Sequence, residues 1–304
     1  MSAMTTLLSV LGFAPDDKVG AFVLCCLYTF VVVTAIWVIG LFQGNHSMMD
    51  GYYGFGFAVP AWIAFWGTGA RTQTAALLLL MASLHGCRLG WYLAARWRRY
   101  VPMYGGDPRY LGFVQKYSPG YWWKSFFMVM EPQAVVIIVI GMPAVCGILA
   151  SQDTSNPPGP LTALGLLVFG VGYYYETSAD AQLQAFLADK AHNQGRYLHT
   201  GVWTYSRHPN YFGNTLVWWG VWIVVVAGNP EAWWTVAGPV INTIMLTKVL
   251  GSAFQDRYMG ERPDYRKLMS RTRGFLPIPS KPVRDPGPAS AGAKVSSRSN
   301  EGGG

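Results

Sequence analysis

Residues 173–190 and 201–220 read YYYETSADAQLQAFLADK and GVWTYSRHPNYFGNTLVWWG. In the first stretch Glu176, Asp180, Gln184 and Lys190 recur on roughly one side of a helix, and Leu183, Phe186 and Leu187 form an apolar side. The turn His192–Thr200 ends that helix. Ser206, Arg207, His208, Pro209 and Asn210 then crowd together immediately before a new apolar run. A dense polar knot between two apolar helices is the pattern of a membrane helix bundle with chemistry at one end of its spans.

The rest of the chain agrees with that pattern. It has 304 residues, of which 51% are hydrophobic and 12% charged. A soluble domain carries roughly 25% charged residues, so too few charges remain to cover a soluble surface. The 13 tryptophans and 17 tyrosines supply amphipathic rings of the kind that gather at membrane interfaces. Stretches near the ~20 apolar residues of a membrane span are Ala21–Phe42, the shorter Gly- and Pro-broken Tyr52–Trp66, Thr74–Ala95, Ser125–Ala150, Leu161–Tyr175, Tyr211–Ala227 and Trp233–Leu250. The predicted fold is all-α, a transmembrane bundle of about seven spans over residues 1–280. A basic tail over 281–304, rich in Pro, Gly, Ser and Ala, is predicted to be disordered.

Lys and Arg orient the bundle. Arg96–Trp123, Ser178–Asn210 and the stretch after Leu250 are basic, whereas Ser151–Pro160 and Gly228–Ala232 have no Lys or Arg. Seven spans put the basic segments on the cytosolic side, with the C-terminus there and the N-terminus opposite. Lys18 and Arg71 fall on the far side, and the loop Gln43–Gly51, expected to be cytosolic, has no Lys or Arg. The N-terminus lacks the features of a cleaved signal peptide. The four cysteines lie in apolar stretches without zinc-type spacing, so they are read as packing residues and no metal is expected. The basic residues follow membrane segments, which argues against nucleic-acid binding. No internal repeat supports a two-half transporter.

The first backbone N–H groups of a helix are unpaired and carry positive dipole character. With Arg207 and His208 beside them they make a site for a phosphate-bearing ligand, or else the two side chains only anchor the cytosolic boundary. Asn210 can donate and accept at once, as a carboxamide or ribose partner requires.

The strings SRHPNYFG, WWG and the upstream ETSADAQ closely resemble the steroid 5-alpha-reductase-like membrane family, especially its bacterial-type branch. The similarity extends to RLGWYLAAR, DPRY, EPQAV and DYRKLMSRTRGFLPIP, and so covers roughly residues 50–279. The resemblance implies a seven-span reductase holding NADPH in a cytosol-facing cavity. It implies cofactor contacts at Arg88, Glu176, Asp180, Asn210 and Trp218, and extends them to Arg207, His208 and Tyr211. Lys190, at the end of the same polar helix side, is counted with them. Glu176 departs from the Asn of the animal steroid enzymes, and Asn214 from the Glu of many members.

His85 and Arg88 lie three residues apart on a predicted span and share a face. Ionisable side chains inside a span usually face the bundle interior or a wet cavity. Arg88 could pair with a cofactor phosphate or snorkel to the cytosolic edge. His85 could donate to a substrate carbonyl or be a satisfied interior histidine. Asp50, beside Tyr52 and Tyr53, opens the second span. The resemblance makes an early acidic residue a carbonyl polariser, while a helix N-cap fits Asp50 equally well. His85, Asp50 and Tyr53 are the catalytic candidates. Glu131-Pro132 either lines the cavity or marks a kink. Asp256, Arg257, Tyr258 and Tyr265 either close over the adenosine end of the cofactor or belong to a solvated amphipathic helix.

The expected function is NADPH-dependent reduction of a C=C bond conjugated to a carbonyl, in a steroid or other lipophilic substrate reached from the membrane. The expected location is the endoplasmic reticulum in a eukaryote and the inner membrane in a bacterium. The alternatives are an S-adenosylmethionine-dependent isoprenylcysteine or phospholipid methyltransferase, which also carries an Arg-His-Pro-x-Tyr string, and a non-enzymatic lipid-binding membrane protein. No Rossmann fingerprint is present, so NADPH rests on the resemblance and the available arginines.

Overall fold

Asp17 caps the first long helix: its side chain accepts from the Val19 N–H, starting α1 (Lys18–Gln43). The computed structural model describes residues 17–151, 155–249, 256, 257 and 259–278, together with Thr6. Among these residues the ordered structure is helical, apart from one isolated β-bridge between Ser206 and Arg273. The 281–304 tail and Tyr258 lie outside the described residues.

Gly44 ends α1 at φ 65, a conformation glycine adopts without strain. The short α2 (Met48–Tyr53) leads into α3 (Phe55–Thr68). The long α4 (Gln73–Tyr104) is capped by Thr72, and α5 (Pro108–Tyr117) by Asp107. The short α6 (Tyr121–Ser125) runs through a π-helical turn, Phe126–Met130, into α7 (Glu131–Ala150). Pro132 has no N–H to donate and its ring crowds the preceding turn, so a wider π turn there keeps the helix continuous. Glu131 accepts from the Thr34 hydroxyl at 3.2 Å, which ties α7 to α1. Next come α8 (Pro160–Ala188), the short α9 (Lys190–Asn193) and α10 (Pro209–Gly228). A 3₁₀ turn, Pro230–Val236, leads to α11 (Ala237–Ile244) and a π turn, Met245–Val249. The helix α12 (Pro263–Met269) closes the described chain.

Among the described residues four helical stretches are long and apolar enough to cross a membrane: Lys18–Gln43, Gln73–Met103, Tyr121–Ala150 and Pro209–Gly228. They correspond to the first, third, fourth and sixth of the expected spans. Large apolar side chains such as Val31, Leu80 and Leu167 stand exposed on the outside of the bundle, as lipid-facing residues do. The other three expected spans take a different form. The α3 helix has 14 residues and α11 has 8, short of a full crossing, while α8 has 29 but breaks its apolar run with Tyr173–Tyr175, Glu176 and Asp180.

Small residues set the most extensive helix contact. Gly165 and Gly172 on α8 meet Gly213 and Gly220 on α10. A Cβ on Gly172 would lie 2.6 Å from the Gly213 carbonyl oxygen, and one on Gly220 would lie 2.5 Å from the Phe169 nitrogen. The glycines recur every seven residues, so one face of each helix is flat for two turns and the backbones touch. This contact fixes Glu176 and Asp180 of α8 against Asn210 and Asn214 of α10.

Candidate active site

Two layers of buried polar side chains, one helical turn apart, cross the bundle. Both run from α4 through α8 to α10, because His85 and Arg88, Glu176 and Asp180, and Asn210 and Asn214 are each three or four residues apart. In the first layer His85 Nδ1 lies 3.3 Å from Glu176 Oε2. Asn214 Nδ2 donates to Glu176 Oε1 at 3.2 Å, and Asn242 Nδ2, from α11, donates to Asn214 Oδ1 at 3.0 Å. In the second layer Arg88 Nη2 donates to Asp180 Oδ2 at 2.7 Å, and Asn210 Nδ2 donates to Asp180 Oδ1 at 3.1 Å. Arg88 links the layers, with Nη1 3.2 Å from Glu176 Oε1 and Nη2 donating to the Glu176 backbone carbonyl at 3.2 Å.

His85, Glu176 and Asp180 are almost fully buried. A buried carboxylate is costly unless paired and hydrogen-bonded, and this cluster supplies both. The supply is incomplete, since Glu176 Oε2, Arg88 Nη1 and both ring nitrogens of His85 have no hydrogen-bond partner among the described residues. The 3.3 Å contact between His85 and Glu176 therefore falls outside hydrogen-bond geometry.

Aromatic rings close the apolar side of His85. Trp218, 1% exposed, meets the imidazole edge-on at 5.5 Å, and Phe57 lies 6.1 Å away. Phe57 also touches Trp218 at 4.8 Å and Tyr53 at 5.3 Å. Tyr53 thus reaches the His85 surroundings through Phe57. On its other side Phe57 lines a small apolar crevice of about 20 Å³ between α1, α3 and α7, with Cys25, Thr29, Pro60 and Gly141. All four cysteines are free thiols, and Cys25 and Cys146 are buried.

Asp50 belongs to a second group. Arg96 donates to its carboxylate at 2.7 Å, Arg109 makes a short contact to the same oxygen, and the Tyr110 hydroxyl donates at 3.1 Å. Asp107 faces the same two arginines, 2.9 Å from Arg109 and 3.6 Å from Arg96. Burial pushes the Asp107 carboxyl up, but hydrogen bonds and charge from Arg109 overcome it and hold the group below the usual carboxylate range. The N-cap reading of Asp50 is corrected: Ser47 stands at the N-cap position of α2, and Asp50 lies in the first turn with its carboxylate turned to the arginines.

Arg207 and His208 form a third group with the C-terminal segment. Arg207 donates to Asp256 at 3.1 and 2.7 Å and to the carbonyl of Met269 at 3.3 Å, and makes a short bond to that of Thr272. His208 Nε2 lies 3.0 Å from Asp256, and the Tyr265 hydroxyl donates to it at 2.8 Å. Burial raises the Asp256 carboxyl, but the hydrogen bonds from His208, Arg207 and Tyr265 outweigh burial and hold it well below the usual range. In this structure Arg207 therefore serves a carboxylate and backbone carbonyls of its own chain. Tyr211 stacks on His208 at 5.4 Å. Lys190 is exposed at the start of α9, apart from the buried layers.

The sequence reading passed over Asn242, Arg96, Arg109 and Tyr110 as site residues. A signal existed for Arg96, which lies eleven residues after His85, three helical turns along the same face. Asn242 is a single amide in the apolar run AGPVINTIML, and an amide in such a run is expected to find a buried partner.

Helices of spanning length around a buried layer of acid, base and amide side chains define the class: an α-helical membrane protein with a polar interior. Within that class the chain belongs to the family described as "Protein of unknown function (DUF1295)", which it matches over residues 36–272. No curated protein matches the chain, and no solved structure does.

Proposed function

We propose that this chain is a membrane-embedded, NADPH-dependent reductase of a C=C bond conjugated to a carbonyl in a lipophilic substrate. Its bundle crosses the membrane seven times with the C-terminus cytosolic. The spans beyond the four long ones are α3 with α2, α8, and α11 with its flanking 3₁₀ and π turns. The observation that carries the reading is the interior set of buried His85, Glu176 and Asp180 with half-buried Arg88 and Asn210, polar and ionisable groups held inside a membrane bundle where structure alone gains little from them.

The donor set fits a nicotinamide. A primary carboxamide presents a donor and an acceptor side by side, and the unmet atoms Glu176 Oε2 and Arg88 Nη1 are an acceptor and a donor on neighbouring side chains. Asn210 and Asp180 extend the polar wall toward Arg96 and Arg109, cations suited to the dinucleotide phosphates. When bound, NADPH would supply hydride to the β-carbon of the enone. His85 would hold a hydrogen bond at the carbonyl oxygen, where negative charge develops. Phe57 and Trp218 would exclude water from that end, and Tyr53 would orient the substrate from behind Phe57. Asp50 would act at a distance by holding Arg96 and Arg109. Here the carboxylates are met by Arg88 and the asparagines, so nucleotide entry requires some of those contacts to open.

The test is thermal protection of the detergent-solubilised chain. NADPH should raise the melting temperature and S-adenosylmethionine should not. Asp180→Ala and Asn210→Ala should lose the protection, while His85→Ala should keep it and slow enone reduction. Protection by S-adenosylmethionine alone would move the assignment to a methyltransferase. Protection by neither would leave the lipid-binding reading.

A further inference from the structure

His85 is the only group of the buried layers with a ring nitrogen on each side, and the two sides differ. Nδ1 faces the Glu176 carboxylate at 3.3 Å. Neither ring nitrogen has a hydrogen-bond partner among the described residues, although the side chain is 1% exposed and flanked by the rings of Phe57 and Trp218; what distinguishes Nδ1 is the carboxylate it faces. An unpartnered buried nitrogen is costly where only structure is at stake. Glu176 in turn is not free to rotate. Asn214 donates to Oε1 at 3.2 Å, Arg88 Nη1 approaches the same oxygen, and so Oε2 is the oxygen left for the imidazole.

Asn214 is itself held. Its side-chain amide has one donor group and one acceptor. The donor goes to Glu176, and the acceptor takes the Asn242 amide at 3.0 Å. Glu176, which only accepts, calls for the amide end of Asn214, and Asn242, 4% exposed on α11, supplies the donor for the Asn214 oxygen that is then left over. A flipped Asn214 would present its oxygen to Glu176, acceptor against acceptor. The chain Asn242, Asn214, Glu176, His85 passes through four helices, and each member dictates the orientation of the next. The carboxylate selects the ring form with hydrogen on Nδ1, because a bare Nδ1 lone pair would face the negative oxygen.

We propose that Asn242 and Asn214 are positioning residues that, through Glu176, set the tautomer of His85, placing Nδ1–H toward the carboxylate and leaving Nε2 for the substrate carbonyl. This deepens the reductase reading and rests on it for the identity of the substrate group. It also moves Glu176 from a cofactor contact to the orienting partner of the imidazole, a role in which a carboxylate next to a histidine is physically apt.

The experiment is ¹⁵N NMR of the full-length, histidine-labelled chain in detergent without nucleotide, with His85→Gln used to assign the His85 signals. The unsubstituted chain should show the Nδ1–H signature at His85. Glu176→Gln and Asn242→Leu should both shift it toward the Nε2–H form or a mixture, and Asn242→Gln, which keeps the amide, should restore it. In turnover assays Glu176→Gln should reduce kcat by about 10²-fold, the low end of what a positioned proton donor contributes. His85 signals unchanged in both Glu176→Gln and Asn242→Leu would overturn the proposal, as would an Nε2–H ring in the unsubstituted chain. Should Asn242→Leu fail to fold, Glu176→Gln decides alone. Because the spectra need no nucleotide, a tautomer shift without NADPH protection would sink the reductase reading and keep the relay; the converse would sink the relay alone.

Discussion

Arg88 and Asp180 form the shortest charge contact of the buried layers, 2.7 Å between Nη2 and Oδ2, with the Tyr92 ring 5.3 Å from the guanidinium on its other side. Among the described residues Asp180 has no other cation within ion-pair distance, and Arg88 turns its remaining amine to Glu176. Removing one partner of a buried pair leaves the other uncompensated, at a cost of roughly 3–5 kcal/mol. Arg88→Ala, which leaves Asp180 without an ion-pair partner among the described residues, should therefore lower thermal stability in detergent markedly. Replacing both members by apolar residues of similar volume should cost much less. Equal losses for the single and the double replacement would show that the pair does not act as a unit.

The Asp50 group should respond more weakly. Its arginines keep Asp107 as a second carboxylate, and the Arg109 side chain is 55% exposed. Water replaces part of what Asp50 supplies, so Asp50→Ala should cost about 1–3 kcal/mol. Melting curves of Asp50→Ala and Arg88→Ala in the same detergent compare them directly. A larger loss at Asp50 would mean that this group, not the Arg88 pair, is the main buried electrostatic element.

Much of this arrangement was legible in the sequence. The periods of three and four that join Glu176 to Asp180 and His85 to Arg88 required each pair to share a face, and the structure turns both faces inward. Long apolar runs announced α1, α4, α7 and α10. Partnership across helices was less visible. Nothing in SRHPNY tells that Arg207 meets Asp256, nearly fifty residues later, or that Asp50 meets Arg96 and Arg109, because such pairs depend on how helices stack. The glycine contact between α8 and α10 was likewise hidden: glycines spaced by seven are readable, but not which neighbouring helix they meet.

That glycine contact gives a clean comparison. A methyl on Gly172 would press on the Gly213 carbonyl at 2.6 Å, a backbone atom that cannot swing aside, whereas one on Gly170 of the same helix would meet nothing within 4 Å. Overpacking of this kind costs roughly 1–3 kcal/mol. Gly172→Ala should destabilise the protein by that amount and weaken nucleotide protection, since Glu176 is one turn away. Gly170→Ala should be neutral on both counts. Matching melting temperatures for the two would refute the close approach of α8 and α10.

The C-terminal segment is held to the 206–208 stretch through Asp256, and acid should release it. The ordinary value for this carboxyl is 3.8, and hydrogen bonds from His208, Arg207 and Tyr265 hold the folded group well below it despite burial. A group depressed on folding binds fewer protons in the folded state, so its contribution is complete above the ordinary value. The contribution is lost as pH falls from about 4 through the depressed folded value. Hydrogen exchange across residues 259–278, corrected for the intrinsic pH dependence, should stay slow down to about pH 4 and accelerate below it. Asp256→Asn should open the same segment at neutral pH, because a neutral amide cannot hold Arg207 and His208 together. Arg207→Ala removes one of the donors that depress the carboxyl, so the segment should be more open at neutral pH and lose less on acidification than in the unsubstituted chain. Exchange in Asp256→Asn indistinguishable from the unsubstituted chain at neutral pH would show that the bridge between Ser206 and Arg273, with the Ser206 hydroxyl bond to the Phe275 carbonyl at 2.9 Å, closes the segment without the charge pair.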